Sequence, residues 1–481
     1  MCLYKGGDSA MINGIIDFII FYNHFVLFYL FALNAIYTFV LFLSFWGLFI
    51  HLRRNKFGSY DDILNSDLVP PISILVPCYN EDKTIVDNVK ALSNLQYNEF
   101  EIIVVNDGSK DNSMQVLIEH FQLVKIDMIF ERKLETQKIH GLYLSKSLDN
   151  IIVVDKDNGG KADALNAGIN IANYPLVTSI DADSVLERNS LLKVVRPFIE
   201  DPERVVAAGG IVRISNGCKI KDGLISDIGL SKNRISVLQT VEYLRAFLTG
   251  RVGWSVVNGL LIVSGAFGIY RKDIMLDIGG YRTDTIGEDM EVIIHIHHML
   301  RNKKQKYRIE FIPDPVCWTQ GPLDLKSLRN QRIRWHRGLA DSLIIHRKML
   351  FNYKFGLLGF LVVPYYWIYE LIGPAIEFTG YIVVVLSLLL GIVNIEFFIL
   401  FFFVAVLYGI FISVGAIMLE EYSFRKYERM SDFLKLVLYS IIENFGFRQM
   451  ITWWRFRAFF GYKYKQNRWG KVERHKVSDI N

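Results

Sequence analysis

Apolar positions are concentrated at the two ends of the chain, with a middle of ordinary polarity between them. From Phe25 to Ile50 there are 26 residues without a charge, enough at about 1.5 Å per helical residue to cross a hydrocarbon core of roughly 30 Å with some tilt. The preceding stretch, 12–24, is also apolar but carries Asp17 and His24, and it reads as a helical extension or an interfacial piece. Near the other end, 355–378 is broken by Pro364, Glu370, Pro374 and Glu377, whereas 381–393 and 397–419 are cleaner. That pattern predicts an interfacial or broken helix followed by two spans. In the middle, short β-branched runs alternate with amphipathic helical windows, which predicts an α/β domain with a mostly parallel sheet covered by helices. The runs are 72–76, 101–105, 151–154, 176–180, 205–212, 261–270 and 309–312.

Charge refines this layout. Arg53, Arg54 and Lys56 follow the first span, His346, Arg347 and Lys348 precede the second apolar block, and Arg425 and Lys426 follow it. By the positive-inside rule all three clusters face the cytoplasm, so two spans separate the last two and the middle domain is cytoplasmic. No basic region precedes a short apolar core, so the first span is expected to stay as an anchor in the inner membrane. The expected units are an anchor (1–56, span about 25–50), a domain over 70–347, a membrane block over 355–419 and an amphipathic tail over 433–481. A composition of 51% apolar and 21% charged residues excludes a disordered chain. The net charge of +5 matters mainly through its placement, because eight Lys or Arg lie between Trp453 and Lys476, interleaved with aromatic residues. Beside membrane spans this mixture suits anionic membrane lipids better than nucleic acid, and no nucleic-acid partner is expected. The four cysteines are scattered and are expected as free thiols, and His295, His297 and His298 read as a helix face rather than a metal site.

In open parallel sheets ligands bind beyond the carboxyl ends of the strands, so the residues just past each run carry the information. They are Tyr79-Asn80-Glu81, Asn106-Asp107-Gly108-Ser109, Gly159-Gly160-Lys161 and Asp181-Ala182-Asp183; farther on lie Ser264-Gly265-Ala266-Phe267-Gly268, Gly287-Glu288-Asp289 and Gln331-Arg332-Ile333-Arg334-Trp335. The first two read equally well as turn chemistry. Lys161 follows two glycines but lacks P-loop spacing, which disfavours a nucleoside triphosphatase. Two acids one residue apart after an apolar strand suit a hard divalent ion that also takes phosphate oxygens, Mg2+ or Mn2+. Asp289, opening a helical window, reads as a dipole-satisfied acid or as a general base.

Seven motifs in this order, PCYNE, NDGS, GGKADALNAG, DAD, SGAFG, GED and QRIRW, resemble the family 2 glycosyltransferases. The match is to their membrane-integrated branch, which includes cellulose, chitin, hyaluronan and poly-β-1,6-N-acetylglucosamine synthases. The resemblance covers about 70–337 and extends to the flanking membrane segments. It implies a GT-A fold, a Rossmann-like mostly parallel sheet, flanked by transmembrane helices. It also implies a nucleotide-activated sugar as donor, Mg2+ or Mn2+, and inversion at the anomeric carbon. By the same resemblance Tyr79, Glu81 and Asp107 contact the uridine, and Lys161 lies near the nucleotide or its phosphates. Asp181 and Asp183 bind the nucleotide-sugar and metal, and Gly265 and Ala266 fall where the acceptor sugar lies. Asp289 is the catalytic base, Gln331 and Arg334 address the diphosphate, and Trp335 packs against the acceptor.

Two positions depart from the family pattern: Asn106 stands where many relatives have Asp, and Gln320 where many have Glu. The leading expectation is transfer from UDP-N-acetylglucosamine or UDP-glucose to a growing β-linked polysaccharide, with export through the chain's own helices or with an export partner protein left open. The alternative is addition of one sugar to a glycolipid acceptor.

Overall fold

The computed structural model describes residues 5–55, 63–64, 66, 68–181, 184–221 and 223–462. Twelve strands form: β1 (Ile72–Cys78), β2 (Phe100–Asp107), β3 (Leu123–Ile126), β4 (Ile139–Ser145), β5 (Ile151–Lys156), β6 (Leu176–Ile180), β7 (Val185–Leu186), β8 (Val205–Ile214), β9 (Lys219–Lys221), β10 (Leu224–Asp227), β11 (Phe267–Arg271) and β12 (Arg308–Thr319). Ten of them make one sheet in the order β3-β4-β5-β2-β1-β6-β11-β8-β12-β7, and β9 pairs with β10 in a separate hairpin.

The centre is parallel, with Ile72 opposite Phe100 and Leu176, and Ile102 opposite Ile151. Its strands are near-continuous apolar runs because both faces are covered. Along β1, Ile74 and Val76 enter one core while Leu75 enters the other, and along β2 Ile102 and Val104 separate in the same way from Ile103 and Val105. The second of these cores is continuous with Val26, Leu30 and Leu33 of the N-terminal helix, so the α/β domain and the membrane helices share buried surface. This is the α/β, mostly parallel architecture flanked by apolar helices that the sequence pattern predicts.

β11 is the exception that shapes the site. It lies antiparallel between β6 and β8, with Phe267 opposite Ile180. The segment before β11 therefore reaches the same edge as the residue after β6, which brings Gly265 to Asp181. The expected strand 261–270 is shorter than its apolar run, since only Phe267–Arg271 pairs. Leu260, Leu261 and Val263 are apolar because they form a fully buried loop. Its backbone is satisfied by side chains: Arg251 donates to the Val263 carbonyl, and the His297 ring bonds the Leu260 carbonyl at 2.8 Å. Burial pushes the His297 pKa down to about 4, so its ring is a neutral strut.

The helices that matter to the site are α1 (Lys5–Asn55), α2 (Lys161–Ile171), α3 (Glu288–Asn302), α4 (Leu325–Ile345), α5 (Gly373–Leu389) and α6 (Ile395–Ser423). Met11–Asn55 and α6 are long and apolar enough to cross a membrane, and Leu358–Leu371 joins α5 at a bend of 45°. Pro374 sits in the first turn of α5, where its missing N–H costs nothing. α1 is one continuous helix of 51 residues, about 76 Å long. Its first half bonds the apolar helices, Asn23 to Ser387 at 2.9 Å and Asn34 to the Val404 carbonyl at 2.8 Å. Its second half lies against Val252–Val256, where Gly253 closes on Val40 and Ser44.

A buried ion pair also joins sheet to membrane helix. Arg213 on β8 meets Glu420 on α6 through two parallel hydrogen bonds of 2.8 and 2.5 Å, both side chains being almost fully buried. Substituting Glu420→Gln strips the counter-charge from a buried guanidinium, and a loss of about 3–5 kcal/mol is expected. Thermal unfolding of the detergent-solubilised chain measures it, and Arg213→Met combined with Glu420→Leu is expected to recover most of the loss.

Candidate active site

The loops after β1 and β2 are stitched together. Asn80 donates its N–H to Ser109 Oγ (3.0 Å) and accepts from the Lys110 N–H (2.8 Å), while Glu81 donates its N–H to Ser113 Oγ (2.8 Å). Asn80 takes φ +57 to do so, a conformation Asn tolerates better than most residues. Tyr79 is left exposed at the rim, and the buried Glu81 carboxylate accepts from Thr84 Oγ1 at 2.8 Å.

Asp107, at the end of β2, is buried and satisfied by protein. Its carboxylate accepts from Lys156 Nζ (2.5 Å), Asn158 Nδ2 (3.1 Å) and the N–H groups of Gly159 (3.0 Å) and Gly160 (2.8 Å). Those four bonds fix the loop that delivers Lys161 at the start of α2. Lys156 is a fully buried cation shared between Asp107 and Asp163, the latter at 2.6 Å. Sequence reasoning missed it, and the available signal was the charged tail Asp155-Lys156-Asp157 on an otherwise apolar strand. Asn106 also gains a reason: on adjacent strands it faces Asp155 and donates an amide hydrogen at 2.7 Å, where an aspartate would set two carboxylates against each other.

At the sheet edge Lys161 gathers the chemistry. Its Nζ lies 2.5 Å from Asp181, donates to the Gly265 carbonyl at 3.3 Å, and stands 3.9 Å from Glu288. Burial alone would lower the Lys161 pKa, but the charges of Asp181, Glu288 and Asp289 outweigh it and hold the ammonium's pKa above its ordinary value. Asp181 is about one-third exposed. Asp183 lies outside the described residues. Ala266 stands next to Gly265 and donates its N–H to Ser264 Oγ at 3.2 Å.

Asp289 opens α3, where the helix dipole favours an anion. One carboxylate oxygen accepts the Met290 N–H at 2.9 Å. The other faces Gly265 so closely that a Cβ on Gly265 would sit 2.8 Å from it. Glu288, which sequence reasoning left without a role, is buried, and its pKa is pushed up to about 7, mainly by burial, with Lys161 opposing and Asp289 adding to the rise. One ammonium thus faces three carboxyl groups, and the buried Arg251 guanidinium also interacts with Asp289.

Gln331, Arg334 and Trp335 ride on α4. The helix is pinned to the Gly287-Glu288-Asp289 turn by a backbone crossing at Gly338, one turn beyond Arg334, where a Cβ would lie 2.9 Å from the Gly287 Cα. Ser342 Oγ donates to the Gly287 carbonyl across the same crossing at 3.3 Å. The Trp335 indole is 40% exposed. It is held by the Arg332 guanidinium, 4.3 Å over its ring, and Arg332 is fixed in turn by Glu242 at 2.7 Å. Gln331 accepts from Arg332 at 3.3 Å. Direct contacts therefore unite Lys161, Asp181, Gly265, Glu288 and Asp289. Asp107 joins them through the glycine loop, the α4 residues through the Gly crossing, and Tyr79 and Glu81 through the stitched loops.

Glycine to alanine inside a helix ordinarily gains about 1 kcal/mol. Gly338→Ala is expected to do the reverse, lowering the melting temperature and displacing Trp335. A second expectation concerns pH. The folded-state pKa of Glu288 lies above its unfolded value, so its contribution to stability is fully present below about 4.5 and is lost as pH rises through about 7. A melting-temperature series across that window is expected to be flatter for Glu288→Gln than for the unmodified chain.

Family models agree with this geometry. Residues 73–235 match the model described as glycosyl transferase family 2, and residues 176–413 match that of glycosyl transferase family group 2. A poly-beta-1,6-N-acetyl-D-glucosamine synthase of Staphylococcus aureus (strain COL) is 30% identical over 292 residues, 60% of this chain and 60% of the relative. The enzyme of the same name from Staphylococcus epidermidis is 29% identical over 276 residues, 57% of this chain and 56% of the relative. The chain thus spans about 60% of the length of the relatives it matches. Among solved structures, a mannosyltransferase from Pyrobaculum calidifontis in complex with GDP-Man and Mn2+ aligns over 86% of this chain and 99% of its own at 17% identity, with a TM-score of 0.47. With overlapping matches running from residue 73 to residue 413 over a sheet edge that assembles these motifs, the chain belongs to the family 2 glycosyltransferases.

Proposed function

We propose that the chain is an inverting polymerase that transfers a sugar from UDP-N-acetylglucosamine or UDP-glucose to a growing β-linked polysaccharide, from a catalytic domain spanning about 70–347 on the cytoplasmic side of the membrane. The observation that carries this reading is the free oxygen of Asp289 facing the Gly265 backbone beside the Lys161–Asp181 pair. A sugar hydroxyl is a poor nucleophile, and Asp289 takes its proton as the hydroxyl oxygen bonds C1 and the bond from C1 to the diphosphate breaks. The electron pair leaves with the nucleoside diphosphate. One displacement at an α-linked donor gives a β-linked product.

Asp181, with Asp183 two residues on, would hold Mg2+ or Mn2+, which when bound supplies positive charge to the diphosphate. Among the described residues no group of three acids, histidines or cysteines is gathered to hold an ion, so this reading rests on the hard oxygen donor of Asp181, about one-third exposed at the sheet edge, with Asp183 outside the described residues. Lys161 neutralises leaving-group charge from the side of α2, and Arg334 with Gln331 does so from α4. Tyr79 lies exposed to face the uridine, beside Glu81. Asp107, whose oxygens each accept two hydrogen bonds, supports the uridine pocket by shaping the glycine loop. Trp335 offers a half-exposed indole to the acceptor sugar, and the loop before β11 offers the small residues Gly265 and Ala266.

Polymer synthesis with passage of the product between α1, α5 and α6, alone or with an export partner, is favoured over single addition to a glycolipid by the position of Trp335 on a helix leading toward the membrane block. Radiolabelled UDP-N-acetylglucosamine and UDP-glucose supplied to proteoliposomes test this, and a single-sugar glycolipid as sole product overturns it. Asp289→Asn and Asp181→Ala are each expected to lose at least roughly 100-fold in nucleoside diphosphate release. Turnover at the unmodified level in both variants refutes the site.

A further inference from the structure

At the opposite edge of the sheet, away from Lys161 and Asp289, a cavity of about 430 Å³ opens between the amino ends of β8 and β12, the end of α3 and the segment that leads into Leu358–Leu371. Its charged lining is Arg204, Arg301, Lys304, Lys306, Arg308 and Lys354, with no carboxylate. The adjoining groove toward Arg54 is different, because there Glu200, Asp201 and Glu310 pair with Arg54, Arg204 and Arg308. Positive charge is therefore uncompensated at the Lys354 end, where Lys304, Lys306 and Lys354 stand in no ion pair among the described residues. Cations at a helix end are favoured by the dipole, which accounts for Arg301 and Lys304. It does not account for four further basic side chains arriving from three other segments. Lys304 moreover takes φ +54, a conformation that glycine fills more comfortably at a helix C-terminus.

Apolar side chains bracket this basic surface. Phe351, Tyr353, Leu357 and Phe360 are exposed on both sides of Lys354, and they lead into the apolar half-helix Leu358–Leu371. At the other end Trp46 and Phe49 are exposed one turn before Arg53 and Arg54, the basic last turn of α1. Exposed aromatic residues followed by basic ones mark the headgroup level of a bilayer.

We propose that this cavity binds the phosphate of an anionic membrane lipid, a site separate from the nucleotide-sugar site and independent of the reading of that site. The shared chemistry is a phosphate oxyanion, and the flanking exposed apolar rows select the lipid over free phosphate as its source. A seated headgroup would tie the amino ends of β8 and β12 to the membrane surface.

Native mass spectrometry of the full chain in detergent, offered phosphatidylglycerol and phosphatidylcholine, tests this. The unmodified chain is expected to retain phosphatidylglycerol preferentially, and the combined Lys304→Gln, Lys306→Gln and Lys354→Gln variant to lose that preference by roughly 10- to 100-fold. All three side chains are exposed, and the same positions changed to Arg are expected to keep the preference, which separates lost charge from lost folding. Lys219→Gln with Lys221→Gln, on the exposed hairpin, is expected to leave retention unchanged. Equal retention of the two lipids by the unmodified chain, an equal loss in the hairpin variant, or displacement of phosphatidylglycerol by inorganic phosphate at millimolar concentration overturns the proposal.

Discussion

Lys161 Nζ sits 2.5 Å from Asp181 and 3.3 Å from the Gly265 carbonyl, in a pocket where Glu288 and Asp289 add further negative charge. A buried ammonium needs such partners, since desolvation would otherwise drive it to lose its proton. Much of the sheet edge is arranged to put it there. Asp107 and Lys156 tie down the glycine loop from which α2 starts, and the antiparallel β11 brings Gly265 across. The touching glycines 287 and 338 bring α3 and α4 within reach of the same point. Each of these devices spends a polar group or a side chain's volume on holding one charge in place.

Charge differs between the two ends of the sheet. At one end the carboxyl groups of Asp181, Glu288 and Asp289 surround the Lys161 ammonium. The opposite edge, at Arg301 and Lys304, carries surplus positive charge. Between them run the two buried cores, one of which continues into α1, so the sheet is fixed to the apolar helices through shared buried surface.

Much of this was legible in the chain. The parallel strands announced themselves as β-branched runs, and the motifs fell at their carboxyl ends because α/β sheets place ligands there. Other features could not be read, for identifiable reasons. The run 261–270 looked like a strand because a buried loop and a buried strand are equally apolar, and the side chains of Arg251, His297 and Lys161 that bond carbonyls in and beside it come from other segments. Glu288 was overshadowed by Asp289, its burial being a product of packing by α2 and the Gly265 loop. Lys156 and Arg332 looked like surface charges because their partners, Asp163 and Glu242, come from other segments. The α1 helix was legible as apolar, but its uninterrupted length of 51 residues depends on neighbours that arrive hundreds of residues later.

That separation along the chain bears on how the molecule is made. Arg213 and Glu420 are 207 residues apart, yet each is the other's buried counter-ion. During synthesis, when the amino-terminal parts fold first, β8 exists for the whole time needed to produce and insert α6 without its partner. Until then the guanidinium lacks the counter-ion that makes its burial tolerable. Burial of the β8 guanidinium thereby waits on the delivery of Glu420, and a chain that stalls before that residue leaves Arg213 without its counter-ion.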